Sequence, residues 1–216
     1  MGEGRETLQQ LWLRYGKGLG VTSQSMPLLT RLILSWSEPN RHYHSLRHLQ
    51  ECLLLLERWG AHSPFHHHVG MALWFHDAIY DATRHNNEER SARWAYAALK
   101  ALDVGSDDCR CIARLIRATR HDGGAHEGDD IDLMLDIDLA ILGADRARFE
   151  EYERQVRLEY AHVDDAAFAR RRARFVDSML SREKIFRTEV ARSELEVQAR
   201  ANLKRSIDRW RVVAGR

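Results

Sequence analysis

The chain is short of proline and cysteine, with three of each in 216 residues. So few prolines leave room for long uninterrupted helices and argue against a loop-rich all-β fold. Three cysteines cannot build a disulfide scaffold, and with no Cys-x-x-Cys pair among them they cannot build a cysteine zinc site. Charge of one sign is also lacking: 33 basic against 32 acidic residues leave a formal net charge of +1. That removes the basic field on which generic nucleic-acid binding depends, so nucleic acid is not expected as a partner. No apolar run approaches the roughly 18 residues of a membrane span, and the greasiest stretch, Leu53 to Leu56, is bracketed by Glu51 and Glu57. The first residues, MGEGRETLQQ, show no basic region followed by an apolar stretch. A cytoplasmic protein without a membrane partner is expected. The P-loop, nucleophile-elbow and dinucleotide-binding glycine motifs are absent as well.

What the chain does have is helical periodicity and 12 histidines. Apolar residues recur at helical spacing from about Met26 to Trp36. Further helices are expected at about 43–59, 63–80, 88–102, 106–120, 131–142, 145–160, 164–181 and 183–212. The expected fold is an all-α helical bundle, read as one domain over 1–216, with a core at about 40–142 and C-terminal helices at about 145–212 packed on it.

The histidines carry the chemistry, because imidazole is the commonest metal ligand. In Arg41-His42-Tyr43-His44-Ser45-Leu46-Arg47-His48, the two residues His44 and His48 are four apart, which on a helix stacks them one turn apart. His48 shares a stripe with Cys52, Leu55, Leu56 and Trp59, so it points inward; taken alone it reads as a hydrogen-bonded core histidine. His76 continues the stripe of Val69, Ala72 and Leu73, and Asp77 follows it inside an apolar stretch. Asp138 has Met134, Leu135, Ile141 and Leu142 as its helical neighbours, which makes it a lone carboxylate on a hydrophobic face. An arginine from the C-terminal helices would satisfy Asp138. A divalent cation would satisfy His48, His76, Asp77 and Asp138 together. Two imidazoles and two carboxylates suit Mn, Fe, Ni, Zn or Mg, and four ligands leave positions open on an octahedral ion.

The ordered set His48, His76-Asp77, Asp138 resembles the HD superfamily of metal-dependent phosphohydrolases. It is closest to a bacterial branch labelled predicted HD phosphohydrolase. The segments RHYHSLRH, ALWFHDAIYD, NNEERSA, DIDLAILG, SREKIF and QARANL carry the resemblance, from about residue 30 to 205. The YHSLRH segment is also similar to the Tyr-His-Asn-x-x-His segment of cyclic-nucleotide phosphodiesterases, with Ser45 in place of the Asn. This resemblance implies an HD-type bundle with His48, His76, Asp77 and Asp138 as ligands. It implies that His44 protonates the leaving oxygen. It further implies hydrolysis of a phosphate ester, of a nucleotide or another small phosphorylated metabolite, by water activated on the metal. Asp77 would bridge to a second ion or orient that water, and Arg41 would grip the phosphate, the alternative for Arg41 being a surface arginine ahead of a helix. Some HD enzymes place a further histidine between the His-Asp pair and the last Asp, which makes His121 a pocket-lining candidate.

Tyr43, Trp74 and Tyr80 are candidates for stacking on a base, or else core aromatics. Glu88 and Glu89 are candidates for holding waters of a second metal, or else acidic residues favouring a helix N-terminus. His66, His67 and His68 are consecutive, cannot share one site, and are expected to be mostly exposed. Two other classes stay open: a non-catalytic metal or nucleotide sensor, and an HD-fold iron oxygenase. A homodimer is compatible with the sequence.

Overall fold

A computed structural model describes residues 7–60, 63–120 and 128–215. All regular elements among them are helical, as the periodicity predicts: α1 (Leu8–Lys17), α2 (Met26–Trp36), α3 (Leu46–Trp59), α4 (His66–Phe75), α5 (Asn87–Lys100), α6 (Ser106–Ala118), α7 (Asp129–Asp138), α8 (Arg146–Glu159), α9 (Asp165–Leu180) and α10 (Glu189–Ala214), with short 3₁₀ turns at Ser23–Ser25 and Leu139–Gly143. The chain divides into two compact units, Met1–Met134 and Leu135–Arg216. None of the described helices is long and apolar enough to cross a membrane.

In the first unit α4 is the central helix, packed against α1, α3, α5 and α6. Every residue from Val69 to Phe75 is buried, which is why its sequence is apolar all round instead of striped. Gly70 is where α1 comes closest: a Cβ there would lie 2.3 Å from the Tyr15 ring. The core is tryptophan-rich, and two of its indoles are anchored by hydrogen bonds. Trp12 donates to Ser25 Oγ (2.7 Å) and Trp36 donates to the carbonyl of Trp74 (2.9 Å).

Helix α1 was not among the expected elements, yet its signal is in the sequence. Thr7 Oγ1 accepts from Gln10 N while the Gln10 side chain accepts from Thr7 N, a capping box spelled Thr-Leu-Gln-Gln. Other boundaries move inward. Helix α3 starts at Leu46, not about 43, and α4 ends at Phe75, not about 80. Helix α10 starts at Glu189, not about 183. In each case the backbone outside the helix has found partners elsewhere.

The second unit shows this for α10. Asp136, only 1% exposed, accepts from the backbone N–H groups of Arg187 and Thr188 and from Thr188 Oγ1, at 2.7–3.0 Å. Thr188 in turn caps α10. One carboxylate thus fixes the helix's entry, where charge-assisted acceptance at an N-terminus is favourable. Glu153 is the second buried anchor. It pairs with Arg172 (2.6 Å) and Arg209 and accepts from Ser206 and Trp210. Burial raises its carboxyl pKa, but Arg172 and these donors outweigh that and hold it below the usual range. Asn202 donates to the carbonyls of Leu142 and Ala144, tying α10 to the 3₁₀ turn.

Candidate metal centre

His48 lies in the first turn of α3 on its buried face, and His76 is the residue that ends α4; they are 2% and 1% exposed. Their Nε2 atoms stand 3.2 Å apart. His76 Nδ1 lies 2.9 Å from the carbonyl oxygen of Leu73. A carbonyl only accepts, so the hydrogen of a neutral His76 sits on Nδ1 and Nε2 turns a lone pair toward His48. Orienting an imidazole through its far nitrogen on a backbone carbonyl is the usual support of a metal-ligating histidine. His48 Nδ1 faces Cys52 Sγ at 3.7 Å, one turn along α3.

The facing Nε2 atoms of His48 and His76 are placed to hold a cation. Two imidazoles with a carboxylate fit a divalent ion of the Mn, Fe, Ni or Zn type. Asp77 is the carboxylate beside them. Its Oδ2 lies 3.2 Å from His76 Nε2 and 4.0 Å from His44 Nε2, between the two histidines. Its side chain keeps 14% exposure instead of the burial expected of it.

His44 is in the turn before α3, so the expected one-turn stacking of His44 and His48 on a single helix does not occur. The two rings are nonetheless 6.0 Å apart, because Tyr43 packs against both at 4.8 Å. The far side of His44 is stacked on Tyr80 at 4.2 Å.

Arg41 is neither a surface residue nor an open phosphate grip. Its side chain is fully buried, pairing with Glu38 through Nε (2.9 Å) and donating to the carbonyls of His44 (3.2 Å), Asp77 (2.6 Å) and Ala78 (3.1 Å). Four of its five N–H groups are engaged this way, so it is a positioning residue. From the other side Ser91 bonds both the N–H and the C=O of Ile79, and Asn87 donates to the carbonyl of Asp81. These contacts explain why α4 stops at Phe75. The carbonyls of Asp77, Ala78 and Asp81 and both backbone groups of Ile79 are taken by Arg41 and by α5, and this fixes the direction of the His-Asp pair.

Trp74 is fully buried and Tyr43 is 4% exposed, so neither offers a face to a base; Tyr80 is partly open. Glu89 is bound by Arg117 (2.6 Å) and Arg93 (2.7 Å), which pull its pKa down to about 2, so it is an ion-pair residue linking α5 to α6. His66, His67 and His68 are half-buried, not exposed, and each has a ring nitrogen committed: to Ser63 O, Tyr15 O and Asp108 Oδ1 respectively. His121 lies outside the described residues. Ser91 and Asn87 carry no signal of their own in the sequence pattern, and Asp136 ranks there below Asp138. Asp132, one turn before Asp136, gives that residue a mixed helical face where Asp138 has an apolar one, yet Asp136 is the more deeply buried of the two.

Compared with known proteins, the chain matches no family model, no curated protein and no solved structure.

Proposed function

We propose that this protein is a divalent-metal-dependent phosphohydrolase acting on a small phosphorylated metabolite, a nucleotide being the class implied by its sequence resemblance. One observation carries the reading: the facing Nε2 atoms of His48 and His76, to which the sequence resemblance adds the carboxylate of Asp138. When bound there, a divalent cation supplies Lewis-acid polarisation of a phosphoryl oxygen and acidifies water toward a pKa of about 7.

The chain's own residues supply the rest. His48, His76 and Asp138 hold the ion, and Leu73 O fixes the His76 ring. Asp77 Oδ2, between His76 and His44, orients water and steadies a proton on His44 Nε2. His44, 22% exposed at its side chain and braced by Tyr80, can deliver that proton to a leaving oxygen, a step worth about 10²–10⁴ in rate. Arg41 holds the Asp77 backbone. On this reading the protein works in the cytoplasm, with a small phosphate ester as its partner.

The test is elemental analysis of the purified protein, followed by a phosphate-release screen with Mn, Mg, Ni and Fe. His76→Ala and Asp138→Ala are expected to lose both metal and turnover. If either keeps both, the reading fails.

A further inference from the structure

A separate cavity of about 530 Å³ opens in the first unit between α2, the turn after Asp77, and α5. Each of these elements contributes one arginine to its wall: Arg31 from α2, Arg84 from the turn and Arg90 from α5. The wall also carries two carboxylates, and both are already neutralised. Asp81 pairs with Arg84 at 3.0 Å, and Glu38 pairs with the buried Arg41 at 2.9 Å. Arg31 and Arg90 have no carboxylate partner among the described residues.

Arg31 is instead held by an aromatic ring. Its guanidinium carbon lies 5.4 Å from the centroid of Trp94, and Trp94 is braced edge-on by Phe75 at 5.8 Å. A guanidinium placed over an indole is oriented without using its N–H groups, so its full donor fork stays available. The cavity also borders the metal centre in sequence and in space. Ala78 and Tyr80 line it, Ala78 two residues from His76 and Tyr80 stacked on His44.

We propose that this cavity is an anion subsite that takes a phosphate or diphosphate group, gripped by the guanidinium forks of Arg31 and Arg90. Paired forks match the oxygens of a phosphate bidentately, which a solvated surface arginine alone does not achieve. Resting on the phosphohydrolase reading, the group bound there is a second phosphate of the substrate, so that bis-phosphorylated compounds are favoured over monophosphates.

The test is titration calorimetry of the full chain, stripped with EDTA, using inorganic pyrophosphate as the probe. Wild type is expected to bind it, and the double variant Arg31→Gln, Arg90→Gln to weaken binding by about tenfold or more. Both positions are exposed, and an unchanged melting temperature checks the fold of the variant. Stripped His76→Ala is expected to bind as wild type does. The proposal is overturned by undetectable binding to wild type at millimolar probe, by unchanged affinity in the double variant, or by loss in His76→Ala alone, which would place the anion at the metal centre. Because the EDTA-stripped arm needs no turnover, pyrophosphate binding there, together with no phosphate release from any ester in the metal screen, would sink the phosphohydrolase reading and leave the subsite standing.

Discussion

Arg41 donates from Nη1 to the backbone carbonyl of Asp77 at 2.6 Å, across 36 residues of sequence. That contact, with its companions to Ala78 and His44, sets the direction in which the His-Asp pair leaves α4. Lysine keeps the charge but not the planar fork, so it cannot reach Glu38 and the carbonyls together. Arg41→Lys is therefore expected to lower metal affinity by about 10-fold, as loss of a ligand's support does. Competition with a chelator would read this directly, and unaltered affinity would show that the turn holds itself.

Metal addition gives the second prediction. A ligand that binds the folded state alone adds stability, about 2.7 kcal/mol at a free concentration of 100 times its dissociation constant. Manganese or zinc is expected to raise the melting temperature of wild type and to leave that of His48→Ala unmoved. Equal shifts in both would place the ion elsewhere.

Asp136 and Asp138, two residues apart at the end of α7, are expected to behave as opposites. Asp136 accepts from two backbone N–H groups and a hydroxyl at the start of α10. Asp136→Ala leaves those donors short, at a cost of about 3 kcal/mol. Asp138→Asn should keep the melting temperature of the metal-free protein and lose bound metal. Thermal denaturation with and without a chelator separates the two. A stable Asp136→Ala protein would show that α10 starts without this carboxylate.

Acid gives a fourth. Burial, then the charge of His66, lowers the His67 pKa from the ordinary 6.5. The folded state thus binds that proton less well than the unfolded chain. The stability involved is present above the unfolded value of 6.5 and is lost as pH falls from there through the lowered folded-state value. Glu89 adds a second window: its stabilising pair with Arg117 is present above 4.5 and lost as pH falls toward about 2. His67→Gln should flatten the decline in melting temperature between about pH 7 and about pH 5. It should leave the more acidic decline in place, where Arg117→Gln should act instead. An unchanged slope near pH 6 in His67→Gln would rule out this assignment.

The sequence alone determined the helical class and the inward direction of His48 and His76. Both follow from a 3.6-residue period, which is a local property of the chain. It also marked Asp138 as a carboxylate in need of a positive partner, and the Thr7–Gln10 capping box was there to be read. Tertiary structure decided what local pattern cannot encode: where α4 stops, that His44 leaves the helix, that Arg41 is a buried clamp, and that Asp136 holds the start of α10. Each of these depends on a hydrogen-bonding group finding its partner many residues away. Which of two chemically similar side chains meets a ligand, and which meets a backbone, is set by that distant partner.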